Sequence, residues 1–229
     1  MAQEKSDVRK LELSMTWCQW VVVLLVSMTC VSSSALANAD DDYQSGVKSF
    51  RDGDVVGAMT PLRAASLAGH AKAQALLADI LDRTDFDEDA IALYRKSAEQ
   101  GEPDGMFGLG VMLAAGEGTK KDVLAGREWI LKAAEKGLPL AVNVVAQAYL
   151  KGELGYTEAD LNTPEALTWV KRAATNEYLP AIDALVAAYT TGSGLPVEVD
   201  RTQAEQYQVL ADRIRNVGPA KAKKKQRRL

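Results

Sequence analysis

Residues 105–137 read GMFGLGVMLAAGEGTKKDVLAGREWILKAAEKG, and this stretch decides which fold the chain can adopt. Two segments within it, Met106–Ala115 and Val123–Glu135, carry apolar residues at helical spacing. A short turn with the sequence GEGTKKD separates them, and Gly137 stands where the end of a helix favours glycine. The stretch therefore predicts two helices joined by a tight turn. Small residues on both segments would let the two helices approach closely.

The same unit recurs along the chain, with a length that increases. The residue that closes the second helix falls at Gly69, Gly101, Gly137 and Glu177, which gives spacings of 32, 36 and 40 residues. Three and four residues before each closing residue stand the pairs Ala65-Ser66, Ser97-Ala98, Ala133-Ala134 and Ala173-Ala174. A repeat of this length indicates a solenoid, in which each helix pair covers the apolar face of the next. The sequence therefore predicts an all-α protein, an α-solenoid of about five stacked helix-turn-helix units.

The repeat resembles a known family, the Sel1-like repeat, which is related to the tetratricopeptide repeat. The resemblance lies in the G-x-G turn followed by Asp122, in Trp129 and in the segment Lys132–Gly137. Residues Ala166–Ala174, with the sequence ALTWVKRAA, match the second half of the pattern again. The resemblance covers roughly residues 42–214. It implies stacked helix pairs that bind another protein and have no chemistry of their own, often in the bacterial envelope.

Two departures from the pattern bear on the fold. Pro61 stands where the family has an aromatic residue, so it either opens a helix at Thr60 or kinks one, because proline lacks the backbone donor. The fourth unit carries an insertion, Glu153–Asn162, after which Thr163 or Asn162 is expected to cap the next helix. The unit is therefore predicted to repeat with local irregularities.

The first 37 residues have the order of a secretory signal peptide. Basic residues come first, then the apolar run Trp17–Val31, then small residues up to Ala39. Cleavage would follow Ala37 or Ala39. An uncleaved membrane anchor is the alternative, although a spanning helix needs about 20 apolar residues. The leader predicts a periplasmic or secreted protein, with anchoring in the inner membrane as the second choice.

Charge is divided unevenly between the predicted repeat domain, residues 38–214, and a predicted flexible basic tail, residues 215–229. The change in sign comes just before this boundary, after Asp212, the last acidic residue. Residues 38–212 carry 16 basic and 28 acidic residues, whereas residues 213–229 carry eight basic residues and no acid. Such a block is often an interaction tail. It would bind anionic lipid, lipopolysaccharide or an acidic protein surface. It contains no aromatic residue for base stacking, so a nucleic-acid partner is not expected.

The sequence offers little material for catalysis or for metal binding. Both cysteines, Cys18 and Cys30, lie in the leader, and His70 is the only histidine. A helix cap or an exposed position is the expected role of His70. The acidic segment Asp85–Asp89 lacks the central glycine of a calcium loop, and no glycine spacing fits a nucleotide loop. We therefore predict no catalytic residue, no cofactor and no metal site.

The predicted function is an exported, non-enzymatic protein–protein interaction module, an adaptor or scaffold in the bacterial cell envelope. One alternative is a cell-wall-related enzyme or a penicillin-binding-like protein, by analogy with cysteine-rich relatives of the family whose cysteines this chain lacks. Another is a membrane-anchored envelope regulator. Trp129 and Trp169 are expected in the core. The first helices are expected to bind the partner, through Lys72, Gln74, Asn143, Gln147, Tyr149, Asp183 and Tyr189.

Overall fold

The computed structural model describes residues 38–217, so the predicted leader and most of the basic tail lie outside the described residues. Within that range the chain is helical and contains no strand. No helix among residues 38–217 combines the length and the hydropathy that spanning a bilayer requires. Residues 38–51 form α1. The helices that follow are α2 (Val55–Leu67), α3 (Ala71–Asp82), α4 (Asp87–Glu99), α5 (Pro103–Ala115), α6 (Val123–Glu135), α7 (Pro139–Lys151), α8 (Glu158–Leu161), α9 (Pro164–Thr175), α10 (Leu179–Thr191) and α11 (Arg201–Val217).

The chain divides into two compact units, Met1–Gln74 and Ala75–Leu229. The described part of the first unit holds α1, α2 and the start of α3, with Leu62 of α2 fully buried. Helix α2 begins after Asp54, whose side chain accepts a hydrogen bond from the Gly57 N–H at 2.8 Å. Pro61 therefore lies inside α2 and does not open a helix at Thr60.

His70 caps the start of α3. Its Nδ1 accepts a hydrogen bond from the Ala73 N–H at 3.1 Å, and its Nε2 lies 3.4 Å from Oδ1 of Asp40. The ring also stacks on Tyr43, with centroids 4.6 Å apart. Because both ring nitrogens have partners within the first unit, the capping role expected from the sequence is confirmed.

The second unit is a stack of helix pairs in chain order. Each helix packs on the next one along the chain from α4 to α11, with α7 packing on α9 beyond the short α8, and α7 also contacts α10. This arrangement confirms the predicted all-α solenoid. The insertion of the fourth unit forms α8, and Thr163 then caps α9 by accepting a hydrogen bond from the Ala166 N–H at 3.2 Å.

Two glycines set the distance between α5 and α6. A β-carbon built on Gly126 would lie 2.6 Å from the carbonyl oxygen of Gly110, and one built on Gly110 would lie 2.7 Å from the carbonyl oxygen of Gly126. Both distances are shorter than non-bonded atoms tolerate. The two backbones therefore meet at a separation that only glycine permits, as the small residues of this stretch predicted.

The turn between α5 and α6 explains the G-x-G signature. Gly116 ends α5 in the left-handed conformation, with φ of 87°, and its N–H donates to the Met112 carbonyl at 2.8 Å. Asp122 then caps α6, since its side chain accepts a hydrogen bond from the Ala125 N–H at 3.0 Å. Gly152 and Gly192 end α7 and α10 in the same conformation. The recurring glycine is thus a requirement of the backbone.

The two tryptophans of the repeat differ in burial. Trp169 is 6% exposed, and the guanidinium of Arg172 lies 4.3 Å from its ring centroid while donating a hydrogen bond to the Ala134 carbonyl at 2.8 Å. Trp129 is only half-buried, with Nζ of Lys132 4.2 Å from its ring. The expected core position therefore holds for Trp169, whereas Trp129 lies at the edge of the core.

Helix α11 presents polar side chains where the preceding repeat presents apolar ones. Val170 and Ala174 of α9 are buried, but Gln208 and Asp212, at the matching positions of α11, are exposed. The Gln208 amide donates a hydrogen bond to the Asp212 carboxylate at 2.9 Å. Within residues 38–217 no helix follows α11, and a polar outer face is what a repeat needs where no neighbour covers it.

Candidate functional site

In the second unit, the first helix of each helix pair carries one stripe of surface-facing positions. The stripe recurs at a spacing of three or four residues along α5, α7 and α10, as expected for one side of a helix. We call it the first-helix face. It consists of Asp104, Phe107, Val111 and Ala115 on α5, of Leu140, Asn143, Gln147 and Lys151 on α7, and of Pro180, Asp183, Ala187 and Thr191 on α10.

Asn143 of this face is bonded to the end of its own repeat. Nδ2 of Asn176 lies 3.4 Å from Oδ1 of Asn143 and 3.5 Å from the Pro139 carbonyl oxygen. Asn176 follows α9 directly, so these contacts join the start of α7 to the end of α9. The Asn143 side chain was predicted to bind a partner, and it also has this role within the repeat.

Gln147 lies one turn further along α7 and makes two contacts. Its Oε1 accepts a hydrogen bond from the Tyr178 hydroxyl at 2.5 Å, and its Nε2 donates to the Glu153 carboxylate at 3.2 Å. Burial raises the pKa of the Tyr178 hydroxyl, and the Glu153 carboxylate adds to the increase. The hydroxyl therefore stays protonated and remains a donor. Nothing in the sequence had singled out Tyr178.

Asp183 occupies on α10 the position that Asn143 occupies on α7. Arg215 of α11 donates a hydrogen bond to Oδ1 of Asp183 at 2.5 Å. Arg213 lies two residues earlier and reaches the Glu177 carboxylate at 3.2 Å. Both pairs are largely exposed, so each contributes little to stability by itself. They attach the end of α11 to the start of α10.

The same face carries apolar side chains that the described residues, 38–217, leave partly exposed. Leu140 is 56% exposed and Val111 is 38% exposed, and Ala115 and Ala187 are also exposed. Partly exposed aliphatic side chains beside hydrogen-bonding groups are the composition of a protein-binding surface, with an apolar centre and a polar rim. The first-helix face is therefore the candidate functional site.

The two tyrosines that were predicted for this surface are buried. Tyr149 is 4% exposed and stacks on Tyr156 at 3.9 Å, and the Arg127 guanidinium lies 4.8 Å from the Tyr156 ring. Burial raises the pKa of Tyr149, and its interaction with the Tyr156 hydroxyl adds to the effect. Tyr189 is 9% exposed and stacks on Tyr207 at 5.9 Å. Both rings face the interior, so neither presents an open side chain to a partner.

The two predicted site residues of the first unit differ in how far their side chains are exposed. Lys72 is exposed on α3. Gln74 is 4% exposed, and its side-chain amide donates to the Ser66 carbonyl at 3.2 Å. Gln74 therefore satisfies a buried backbone group. That the remaining four residues, Lys72, Asn143, Gln147 and Asp183, contact a partner stays a prediction.

The acidic loop between α3 and α4 has no arrangement suited to a metal ion. Asp87, Glu88 and Asp89 form the first turn of α4, where carboxylates favour the positive end of the helix. Burial raises the pKa of Asp82 nearby, and the negative charge of the Glu117 carboxylate raises it further. Among residues 38–217, no three histidine, cysteine or carboxylate side chains come together as metal ligands.

The comparisons with known proteins agree with this geometry. A family model described as the Sel1 repeat matches residues 71–102, 103–138 and 139–178. The chain contains three Sel1 repeats. The matches begin with α3, α5 and α7, so each Sel1 repeat is one helix pair followed by the junction to the next. Sel1 repeats are generally protein-interaction modules without catalytic activity.

Three solved structures share this fold. The chain is similar to a protective antigen of uropathogenic Escherichia coli with an SLR fold, at 23% identity and a TM-score of 0.65 over 76% of this chain. It spans 38% of the length of that antigen. A Sel1 repeat protein from Oxalobacter formigenes matches at 22% identity and a TM-score of 0.61, over 77% of this chain and 73% of the other.

A protein of Klebsiella pneumoniae subsp. pneumoniae described as a sel1 repeat protein matches at 20% identity and a TM-score of 0.51. That match covers 79% of this chain and 91% of the other. At these identities the three structures show the Sel1 fold alone. A search of the curated proteins found no match.

Proposed function

We propose that this Sel1-repeat protein is an exported adaptor, a non-enzymatic module that binds another protein in the bacterial cell envelope through the first-helix face. One observation carries the proposal. Leu140 projects from the second position of α7, more than half exposed, on the same side of the helix as the hydrogen-bonded side chains of Asn143 and Gln147. An exposed apolar side chain bordered by ordered polar groups matches the apolar centre and polar rim of protein interfaces.

The hydrogen bonds already present on the first-helix face support a preformed binding surface. Asn143, Gln147 and Asp183 are held by contacts within the fold, so their side chains lose little freedom when a partner arrives. Binding to a surface of this kind avoids part of the entropy cost of ordering side chains. Each carbonyl or carboxylate oxygen also retains a second lone pair for a partner.

Export rests on the leader pattern of the sequence, whose residues lie outside the described range. The order of basic, apolar and small residues before Ala39 supports secretion across the inner membrane. The non-enzymatic role is supported by the behaviour of Sel1 repeats in general and by His70, whose two ring nitrogens are both used within the first unit.

A matched pair of substitutions tests the binding face. Leu140→Glu places a charge on the face, and Leu124→Glu places the same charge at the second position of α6, where the leucine is 57% exposed. Glutamate is well tolerated in the first turn of a helix, so both variants should fold. Each variant is expressed in the source bacterium, and its partners are captured after crosslinking in intact cells.

We expect Leu140→Glu to lose partners that the parent chain and Leu124→Glu both retain. If Leu140→Glu keeps every partner of the parent chain, the first-helix face is not the binding surface. The intact mass of the exported chain tests the location separately: a chain that begins at Asn38 or Asp40 supports export with cleavage. A chain that retains its leader would replace this part of the proposal with a membrane-anchored regulator.

A further inference from the structure

The basic run at the end of the chain begins inside the described structure. Its first two members, Arg213 and Arg215, belong to α11, and both are bonded to carboxylates at the start of α10. Arg213 reaches Glu177 at 3.2 Å, and Arg215 reaches Asp183 at 2.5 Å. The part of the basic run that the structure describes is thus already docked on an acidic edge of the preceding helices.

This edge continues along the stack. The junctions that lead into α5, α7 and α10 lie in a row, since Asn176 contacts the Pro139 carbonyl and the Lys136 side chain lies next to Gly101. A β-carbon on Gly101 would be 3.5 Å from Nζ of Lys136. We call this edge the junction row. Its carboxylates are Glu99, Glu102, Asp104, Glu135 and Glu177.

Within residues 38–217, four of these carboxylates make no ion pair. Among the ion pairs within residues 38–217, only Glu177 of the junction row takes part, through Arg213. Glu99, Asp104 and Glu135 are exposed, and Glu102 is half-buried. With five carboxylates and one lysine, Lys136 beside Gly101, the row carries a net negative charge that faces solvent, continuous with the site that Arg213 occupies.

We propose that residues 218–229 bind in cis along the junction row and extend the contact that Arg213 and Arg215 begin. This segment reads GPAKAKKKQRRL, with six basic residues and no acid. Fully extended, its twelve residues span about 40 Å. Neighbouring helices pack about 10 Å apart, so the row from Glu177 to Glu102 needs about 20 Å. The segment is therefore long enough to reach all of these carboxylates.

Connection to the same chain makes weak contacts effective. Each exposed ion pair contributes little by itself. A segment joined directly to α11, however, meets the row at an effective concentration in the millimolar range. Several weak pairs then act together, and the acidic edge of a second molecule competes only at high protein concentration. The interaction does not depend on the partner proposed above.

Zero-length carbodiimide crosslinking of the full chain tests this inference, because the reagent joins a lysine amine only to a carboxylate that it touches. Mass mapping should find Lys221, Lys223, Lys224 or Lys225 joined to the junction row in monomeric protein. The yield should not change with protein concentration. It should fall about fivefold or more between about 50 mM and about 500 mM NaCl, since salt screens exposed charges.

Substitution separates this row from general attraction to an acidic protein. Glu102→Gln combined with Glu135→Gln should reduce the crosslinks to Glu99 and Asp104, which both remain reactive. Glu128→Gln removes an exposed carboxylate of α6 outside the row and should leave those crosslinks unchanged. Crosslinks found only between two copies, spread equally over carboxylates outside the row, or unaffected by the double substitution would each overturn the proposal.

Discussion

The Tyr178 hydroxyl donates a 2.5 Å hydrogen bond to Oε1 of Gln147, thirty-one residues earlier in the chain. The bond joins the N-cap of α10 to the middle of α7, two first helices that also contact each other. It shows that a glutamine predicted to face a partner also joins its own helix to the start of the next first helix. The surface and the stack therefore share residues, and substitutions on the first-helix face must be tested for stability as well as for binding.

Tyr178→Phe should lower the free energy of unfolding by about 1 kcal/mol, since it removes one hydrogen bond and keeps the ring. Urea denaturation of the parent and the variant measures the change. Gln147→Leu and the double variant complete a cycle, in which the second substitution should cost less once the first has been made. If the two costs simply add, the bond does not contribute to stability.

Gly126→Ala should destabilise the protein by about 1–3 kcal/mol, because the new β-carbon meets the Gly110 carbonyl oxygen and forces α5 and α6 apart. The sign of the effect is informative. In a helix without this contact the same change stabilises by about 1 kcal/mol, since alanine has the higher helix propensity. Thermal and urea unfolding give the measurement, and an increase in stability would contradict the close approach of the two backbones.

Trp169→Ala should cost about 3–5 kcal/mol, because it empties a buried site. Trp129→Ala should cost less, since the half-buried Trp129 ring leaves a space that water can enter. Urea unfolding of both variants, at the same slot of successive repeats, makes the comparison direct. Equal costs would show that the Trp129 ring is as much part of the core as Trp169.

Gln208→Val combined with Asp212→Ala should make the protein self-associate, because the change gives α11 the apolar face that inner repeats use to pack on their neighbours. Sedimentation equilibrium over a range of protein concentrations measures the association. Gln206→Val, an exposed position on another side of α11, is the control and should behave like the parent. Association that is no stronger than in the control would mean that the polar side chains of α11 do not prevent self-association.

Much of the fold follows from residues that act locally. Helix α6 runs from Val123 to Glu135, as its apolar spacing predicted, and Gly116 adopts the left-handed conformation that its place in the turn required. The predicted close contact of the small residues is present at Gly110 and Gly126. These features depend on caps, propensities and side-chain size within one helix pair. A repeated pattern in the sequence displays all of them.

The sequence by itself determined the helix pairs, their turns and their order, because each of these is set by residues close to one another in the chain. Only the tertiary structure decided which side chains remain open to a partner. Tyr149 and Tyr189 sit on first helices, yet each is covered by a tyrosine that follows it, Tyr156 from the insertion and Tyr207 from α11. Such cover depends on how the insertion, for Tyr149, or the second helix, for Tyr189, lies against the first helix. That arrangement comes from packing between elements, which helical periodicity alone does not specify.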